Sequence, residues 1–589
     1  MKFTRLILIQ LVFIFAAASC TNSTQKLDTT VPDYEAINEE RLDSAIRQMI
    51  DLLPDSTTAE LPWAKLYYSI NNFAPEWVFP VSNSAKIDTL LTYLSKSEEH
   101  GIPIEQFNLD TLIILNNQLK EKNLSYSGMA FLEIKASTAF LRYCKALIFG
   151  LFKPKEISPN YYFTTLSIDT TFTLNSFKHK NSNLDLFLTQ VQPSNENYLK
   201  LQSARKSYLQ LVDSVFTPIP ILNKKETIKF GTTHSYIPLI ARRLMISGEL
   251  ANNYQSDHQT FDKELLLALN KFRAKTGLYI DNEIGNNTIR LLNLTFKDYI
   301  DKIDINLERL RWQPAKPLGK KYIRVNVADM TLKAFRNDTL ALKMKVCVGK
   351  APKNKTPFLR SNIYEVILNP TWGIPNSIVI KETAIAAAKD TSYLRRHKIR
   401  VFRKGIEIHP DKAEWSKVNK NYQPFTLVQD SGDINALGRI KFNFSNKFSV
   451  YLHDTNSKGA FNRHNRAVSH GCVRVEKPLD LSYFCLPEFD TTNEIKMEER
   501  AFLQDKIRRS IHLQPLSLKG IETLATSAEK MQLKKVSLYP NIPIMIDYFT
   551  CFPQANGKVV FRDDIYELDQ DVIEQLKKYI SITVKGLPE

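Results

Sequence analysis

The chain has 589 residues, 43% of them hydrophobic and 11% aromatic, so it is too long for one hydrophobic core and we expect several domains. Its net charge of +17 favours a polyanionic partner, such as nucleic acid, anionic lipid or an acidic wall polymer, although a solvated basic surface gives the same balance. The sequence has no RNA-recognition, helix-turn-helix or zinc-finger pattern and no Cys-x-x-Cys or His-Glu-x-x-His motif. We therefore predict no nucleic-acid partner, no metal site and no cofactor.

The N-terminus has the pattern of a secretory signal peptide. Lys2 and Arg5 precede an apolar run at 6–15, and small residues at 16–19 lead to Cys20. The run is shorter than the roughly 20 apolar residues that span a bilayer. Its end resembles a bacterial lipoprotein box, which implies removal of the signal peptide and lipidation of Cys20; the alternative is simple cleavage that leaves the thiol free. We therefore expect a periplasmic protein that lipid on Cys20 anchors to a membrane.

Helical patterns dominate the next stretch of the chain. A polar tether and a first helix at 20–59 lead into residues 60–230, where helical periodicity alternates with Pro and Asn breaks and predicts a scaffold domain. Residues 231–298 combine three helical patterns with a Gly-punctuated loop. This unit resembles the three-helix peptidoglycan-binding-like module, and a small helical spacer is the alternative.

Residues 299–589 form the last predicted domain, which is mainly β. From residue 321 the hydrophobic pattern has the period of two that is typical of strands. An Ala-rich basic segment interrupts this pattern, so we predict an insertion at about 376–428. The chain is thus expected to be an α+β multi-domain protein. The predicted strands include 322–327, 342–348, 363–368 and 447–452.

Two polar segments of the β domain carry the candidate chemistry. Tyr451 and His453 end a predicted strand, and Ser-His-Gly-Cys-Val-Arg follows at 469–474. A thiol becomes a nucleophile when a base deprotonates it or a nearby positive charge stabilises the thiolate. A Gly before the nucleophile lets backbone N–H groups approach a developing oxyanion. Polar neighbours pack poorly in a core, so they favour chemistry over simple burial for Cys472.

The number of cysteines supports a free thiol. The sequence has six cysteines, and lipidation of Cys20 would leave five, which is an odd number. At least one of the five is then unpaired within the chain. Such an unpaired thiol fits a cysteine that is kept for chemistry.

Residues 469–474 together with His453 resemble the L,D-transpeptidase signature, His…[Ser/Thr]-His-Gly-Cys-x-[Arg/Asn]. Further segments are similar to motifs of the large, multi-domain L,D-transpeptidases: Asn-Leu-Glu-Arg-Leu-Arg-Trp at 306–312, Asn-Pro-Thr-Trp-Gly-Ile-Pro at 369–375 and Asn-Ala-Leu-Gly-Arg-Ile-Lys-Phe at 435–442. The resemblance covers about 230–550. It implies a mainly β catalytic domain of the YkuD type with an inserted capping subdomain, beside the helical scaffold and the peptidoglycan-binding-like module.

The resemblance also implies roles for the central residues. Cys472 is the nucleophile, His453 is its base, and Tyr451 helps to form the oxyanion hole. The backbone N–H groups of Gly471 and Cys472 are expected to contribute to the same oxyanion hole.

Three neighbours complete the predicted site. Ser469, His470 and Arg474 are expected to lie directly around the nucleophile. Arg474 either holds a substrate carboxylate bidentately or only braces its loop. His470 is closer to Cys472 in sequence than His453 is, but its implied role is structural.

The function implied by the resemblance is transpeptidation of peptidoglycan stem peptides. A tetrapeptide donor would lose its terminal D-residue, and a diaminopimelate amine of the acceptor would form a 3→3 cross-link. Carbapenems are the implied inhibitors. The alternatives are an L,D-carboxypeptidase with the same acyl-enzyme, a relative that attaches a lipoprotein to the wall, and a non-catalytic wall-binding protein, against which the intact His453 and Cys472 argue.

Overall fold

The computed structural model describes residues 27–55, 58–163, 165, 167–255, 259–313, 318–487, 494–513 and 533–585. The predicted signal peptide and Cys20 lie outside these residues. The chain divides into two compact units, one formed by Met1–Pro159, Thr164–Pro314 and Thr550–Glu589, the other by Asn160–Phe163 and Ala315–Phe549. The first is helical and the second rich in strands, which confirms the predicted α+β multi-domain class.

The first unit is built around the long helix Tyr126–Phe149. The Ser125 hydroxyl caps its N-terminus by accepting the Gly128 N–H, and most of its residues are buried because shorter helices pack on several sides. None of the helices in the described part of the chain is both long and apolar enough to cross a bilayer. The other α-helices of this unit are Glu39–Leu52, Leu61–Ile70, Ser84–Ser95, Leu109–Lys120, Pro154–Ile157, Thr170–Ser182, Leu184–Gln190, Glu196–Leu209, Ile237–Ile246, Lys263–Thr276, Asn286–Leu292, Phe296–Arg311 and Leu568–Lys585.

Three of these helices form the small module that the sequence predicts at 231–298. Ile237–Ile246, Lys263–Thr276 and Asn286–Leu292 share a buried apolar core. Gly277, with φ of 77°, ends the middle helix in the left-handed conformation that favours glycine. The helices are thus present, and the wall-binding role of the module stays a prediction.

The motif at 306–312 is a structural centre of the first unit. Its Glu308 is buried, and the carboxylate accepts the Leu151 N–H at 2.7 Å and the Trp312 indole N–H at 2.9 Å. The same carboxylate pairs with Arg311 at 2.6 Å. Because a buried charge needs such partners, this motif fastens the helix Phe296–Arg311 to the scaffold.

The domain assignment of the C-terminal segment differs from the sequence prediction, which placed 299–589 in one catalytic domain. In the structure the helix Phe296–Arg311 and the residues from 550 onward pack in the first unit. The physical reason is a buried ion pair between Arg309 and Asp569, 2.6 Å apart, which joins the two segments. Two short strands, Cys551–Pro553 and Val559–Phe561, form a hairpin in this part of the chain.

The second unit contains fourteen strands within its described residues. In chain order they are β1 Tyr161–Tyr162, β2 Lys321–Asn326, β3 Thr331–Arg336, β4 Thr339–Gly349, β5 Phe358–Leu368, β6 Trp372–Gly373, β7 Ile399–Arg403, β8 Ile406–Ile408, β9 Phe425–Gln429, β10 Ile440–Phe444, β11 Leu452–His453, β12 Ala467–Ser469, β13 Val473–Val475 and β14 Lys535–Asp547. The helix Pro478–Cys485 follows β13, and Glu494–Ser510 precedes β14.

Ten of these strands form the main sheet. Its order is β1-β5-β10-β11-β13-β4-β3-β2-β14, with β12 beside β4, and the pairing of β14 with β5 closes the sheet on itself. Because the sheet closes on itself, one face of its strands points inward. This inner face is apolar, and its buried residues include Phe442, Leu452, Val473 and Val346. The other face carries the polar residues of interest.

The predicted insertion is a subdomain with its own core. Strands β6, β7, β8 and β9 form a separate sheet in the order β8-β7-β9-β6, covered by the short helices Ala384–Lys389 and Ser392–Arg396. Leu394, Val401 and Leu427 are fully buried in its core. A one-turn π-helical segment, Val379–Thr383, leads into these helices.

Candidate active site

Strand register gathers the predicted site residues on the outer face of the main sheet. Lys441 of β10 pairs with His453 of β11, which pairs with Arg474 of β13. Tyr451 and Cys472 immediately precede β11 and β13, and the Tyr451 ring lies beside His453, with ring centroids 5.6 Å apart. Two segments that are separate in the sequence therefore meet at one polar patch.

Cys472 is partly exposed and surrounded by polar groups. Its thiol donates to the Ser449 carbonyl with a sulfur–oxygen distance of 3.8 Å. Burial raises the pKa of the thiol, whereas hydrogen bonds from the Tyr451 N–H and hydroxyl and the charges of Lys441 and Arg474 act in the opposite direction. The net direction keeps this sulfur protonated at neutral pH, so attack requires a base.

The Ser449 carbonyl reaches the sulfur because of a turn that the sequence did not predict. The predicted strand 447–452 is wrong, since only Leu452 and His453 are in strand conformation. The Asn446 side chain accepts the N–H groups of Phe448 and Val450, each at 3.0 Å, and Ser449 has φ of 54°. This side-chain bonding favours a turn over a strand ladder.

His453 is held as a neutral imidazole with a defined tautomer. Its side chain is buried, and Nδ1 lies 2.5 Å from the Asp454 carbonyl, which can only accept, so Nδ1 carries the proton and Nε2 does not. Burial and the charge of Arg474 lower the pKa of His453 to about 3, although the bond to Asp454 acts in the opposite direction. An unprotonated Nε2 is the form that a general base requires.

Asp454 fixes the position of this carbonyl. Its carboxylate accepts the Thr455 N–H at 2.7 Å and the Arg439 N–H at 2.9 Å, and it also pairs with Lys458. Gly438 leaves the space for it: a Cβ at that position would lie 2.4 Å from the carboxylate. The segment 435–442 therefore supports the histidine through Asp454.

Ser469 braces the loop before the nucleophile. Its hydroxyl accepts the Gly471 N–H at 3.1 Å and donates to the Cys472 carbonyl at 2.5 Å. The Gly471 N–H is thus hydrogen-bonded within the loop, and its predicted contribution to an oxyanion hole stays a prediction. Gly471 has a φ of 120°, which favours glycine, and its carbonyl accepts a hydrogen bond from the Thr356 hydroxyl at 2.9 Å.

His470 and Tyr451 are the two predicted site residues that contact the insertion. His470 Nε2 lies 2.6 Å from the Glu382 carboxylate in the π-helical segment. Trp372 of β6 hydrogen-bonds to the Tyr451 hydroxyl, which opposes the rise in its pKa that burial causes. The expected structural role of His470 thus has a specific partner.

A comparison with known protein families identifies a match over the residues that contain this site. A family model described as L,D-transpeptidase catalytic domain (YkuD) matches residues 320–493, which include every site residue named above. Residues 320–493 thus match the catalytic domain of the YkuD L,D-transpeptidase family.

A second family model and one relative also match parts of this chain. A second family model, described as a scaffold domain, matches residues 62–204. A Haemophilus influenzae protein named, provisionally, as an L,D-transpeptidase is 34% identical over 301 residues, or 50% of this chain. The chain spans only 54% of that relative's length. A solved L,D-transpeptidase fragment from Xylanimonas cellulosilytica is 13% identical and covers 43% of this chain and 88% of its own, with a TM-score of 0.15.

Two cations of the L,D-transpeptidase domain stand out by their surroundings. The Arg474 side chain makes no hydrogen bond or ion pair within the described residues, and its Nε is buried. Lys441 lies with Nζ 4.1 Å from the centre of the Tyr451 ring. Lys441 lies in a family motif, but the sequence analysis gave it no role. Strand periodicity alone does not show that Lys441 pairs with His453. Within the described ranges no group of three or more His, Cys, Asp or Glu side chains is arranged to hold a metal ion.

Proposed function

We propose that this protein is an L,D-transpeptidase that forms 3→3 cross-links between peptidoglycan stem peptides through an acyl-enzyme on Cys472. The observation that supports it most directly is the placement of a partly exposed thiol immediately before β13, the strand that pairs with His453, whose Nε2 is unprotonated. Two unneutralised cations beside the sulfur suit an anionic stem peptide.

Each step follows from this arrangement. The Cys472 sulfur attacks the carbonyl that joins the L- and D-centres of the donor, while His453 Nε2 takes the thiol proton. The C–N bond breaks, the proton passes to the departing amine, and the terminal D-residue leaves a thioester on Cys472. The acceptor amine then attacks the thioester and loses its proton to His453. The C–S bond breaks, and His453 gives the proton to the departing sulfur, which restores the thiol.

Tyr451 and Arg474 receive the remaining roles. The Tyr451 hydroxyl, held by Trp372 beside the sulfur, donates to the oxyanion. Arg474, whose buried Nε has no partner, holds a carboxylate of the donor, because a guanidinium matches carboxylate geometry.

The decisive experiment is mass spectrometry of muropeptides after incubation of the purified protein with disaccharide-tetrapeptide. We expect a cross-linked dimer that has lost one D-residue, and none with Cys472→Ala. Cys485→Ala, which removes a buried thiol of the same unit, is the matched control and should retain full turnover. Cross-linking by Cys472→Ala would refute the nucleophile. A tripeptide without dimer would establish the carboxypeptidase alternative instead.

Two further parts of the proposal concern inhibition and location. A carbapenem should add its mass once to the intact protein and not to Cys472→Ala, because the same sulfur opens the β-lactam ring. The protein is proposed to reside in the periplasm with lipid on Cys20. Cys20→Ala should move it from the membrane to the soluble fraction of a lysate, and unchanged membrane association would contradict the anchor.

A further inference from the structure

Lys441 is a cation on the site face that none of the steps above uses. It lies on β10 directly opposite His453, and its side chain is only partly exposed. Its ammonium group is 4.1 Å from the centre of the Tyr451 ring, a distance at which a cation is attracted to an aromatic face. The ring is therefore held from one side by Lys441 and at its hydroxyl by Trp372.

The charge of the Lys441 side chain is not neutralised by an ion pair with a carboxylate of the described residues. Lys441 has no hydrogen bond or ion pair within the described residues. Glu365, the acidic group near enough to act on its charge, bonds instead to Asn443 at 2.7 Å and pairs with Lys535 at 3.6 Å. A partly buried cation without a carboxylate partner loses solvation free energy, so we expect another interaction at this position to offset that loss.

The group that gains from this cation is the Cys472 sulfur. Among the described residues, the groups that act on the sulfur are Tyr451, just before β11, Arg474 of β13 and Lys441 of β10. His453 of β11 pairs with both cations in the sheet. His453 is neutral and Tyr451 keeps its proton, so positive charge comes from the two cations alone. Burial works against the thiolate, and a nearby positive charge offsets that cost.

We propose that Lys441 is a positioning residue for the nucleophile, which stabilises the Cys472 thiolate by its charge and holds the Tyr451 ring against the sulfur. The proposal rests on Cys472 as the reactive thiol of the proposed function. It extends that function by assigning part of the thiol activation to a lysine outside the signature segment 469–474.

The test is the rate at which Cys472 is alkylated as the pH rises, followed by peptide mass spectrometry. The variants are Lys441→Met, Lys441→Arg and, as a matched control, Lys343→Met, which removes an exposed lysine from β4 of the same sheet. We expect Lys441→Met to move the midpoint upward by about half a pH unit or more, so that alkylation near neutral pH slows about threefold. Lys441→Arg should restore most of the rate, and Lys343→Met should match the wild type.

A second readout separates charge from packing. Iodoacetate is an anion and iodoacetamide is neutral, so a cation beside the sulfur favours the first reagent. The iodoacetate-to-iodoacetamide rate ratio should fall in Lys441→Met and in Lys441→Gln, and a high salt concentration should lower the wild-type ratio towards theirs. Identical midpoints and identical ratios in wild type and both neutral variants would overturn the proposal.

Folding and function are controlled in the same experiment. If one neutral variant unfolds, the other and the salt dependence of the wild type still decide the outcome. Alkylation needs neither donor nor acceptor, so a failure of cross-linking would not affect this test. Absence of any alkylation at Cys472 in the wild type would instead contradict the nucleophile of the proposed function.

Discussion

At the scale of single residues, the proton inventory of His453 determines how the site responds to pH. Its pKa is lowered from 6.5 to about 3, chiefly because the ring is buried. Below pH 6.5 the unfolded chain therefore binds a proton that the folded chain refuses, and stability is lost as the pH falls towards 3. Above pH 6.5 both states are neutral at this residue, and it contributes no pH dependence.

This sign leads to a prediction for His453→Gln. The wild type should lose about 1.4 kcal/mol of unfolding free energy per pH unit through this residue on the acid side, and the variant should not. Urea titrations at several pH values should therefore show that the unfolding free energy of the wild type falls relative to that of the variant as the pH drops below 6.5. Parallel stability curves would show that His453 is not buried as a neutral ring.

A second prediction concerns Gly438, which shapes the site without touching the nucleophile. Gly438→Ala adds a Cβ 2.4 Å from the Asp454 carboxylate at a position whose φ is 60°. Asp454 must move, and its carbonyl then no longer orients His453. We expect alkylation of Cys472 and turnover to fall at least about tenfold, because a misplacement of about 1 Å is costly in catalysis.

The control for this change is Gly459→Ala. Gly459 lies in the same unit, and an added Cβ there would meet nothing within 4 Å. This variant should retain wild-type turnover. If Gly438→Ala also retains it, Asp454 is not the support of the histidine.

At the scale of elements, the insertion is the part of the catalytic unit that reaches over the site. Its π-helical segment contacts His470 through Glu382, and β6 contacts Tyr451 through Trp372. An exposed pair such as His470–Glu382 is worth about 0.2–1 kcal/mol, so it can break and re-form easily. The segment is therefore held at the site by contacts of modest strength.

The basic residues of the insertion give the prediction at this scale. Arg396 and Arg400 pair with nearby acidic residues, whereas Lys381, Lys389 and Lys398 are exposed and have no ion pair in the described part of the chain. Replacing these three lysines by Gln should raise the apparent KM for the anionic donor. The defect should shrink at high salt, because charges in solvent are screened beyond a Debye length of about 8–10 Å.

The matched control for the insertion replaces Lys224, Lys225 and Lys229 of the first unit by Gln. This change removes the same charge from the molecule but leaves the catalytic unit unaltered. Its kcat/KM should stay at the wild-type value at low salt. Equal effects of the two triple variants would mean that only the total charge matters, and no effect of either would contradict the prediction that the lysines of the insertion attract the anionic donor.

At the scale of the whole molecule, buried charges hold the helical unit together. Glu308 connects the end of Phe296–Arg311 to the loop at Leu151, and Arg311 continues to the Tyr198 hydroxyl at 2.9 Å. Such a network makes stability depend on a few residues, because removing one partner leaves an uncompensated charge in the interior.

The prediction for this network is that Glu308→Ala destabilises the first unit by about 3–5 kcal/mol. The change should appear as a lower Tm of that unit in calorimetry. Glu196→Ala, which breaks an exposed Lys200–Glu196 pair in the same unit, should change the stability by less than about 0.5 kcal/mol. A Tm for Glu308→Ala equal to that of the control would contradict the network.

The sequence by itself determined the class of the protein and the identity of its candidate nucleophile and base. The signature at 469–474 is contiguous and chemically specific, so it needs no tertiary information to be read. Helical periodicity likewise predicted the three helices of the small module. These signals are local, because they depend on residues that lie within one or two turns of each other.

The tertiary structure alone decided which backbone donor is free, which cation faces the sulfur and where the domain limits lie. The Gly471 N–H donates to Ser469, Lys441 contacts Tyr451 at the start of the neighbouring strand, and Arg309 pairs with the C-terminal segment in the helical unit. Strand periodicity tells on which face a residue lies, but the neighbour on that face depends on register and on sheet order. Those contacts join residues far apart in the sequence, and only packing selects them.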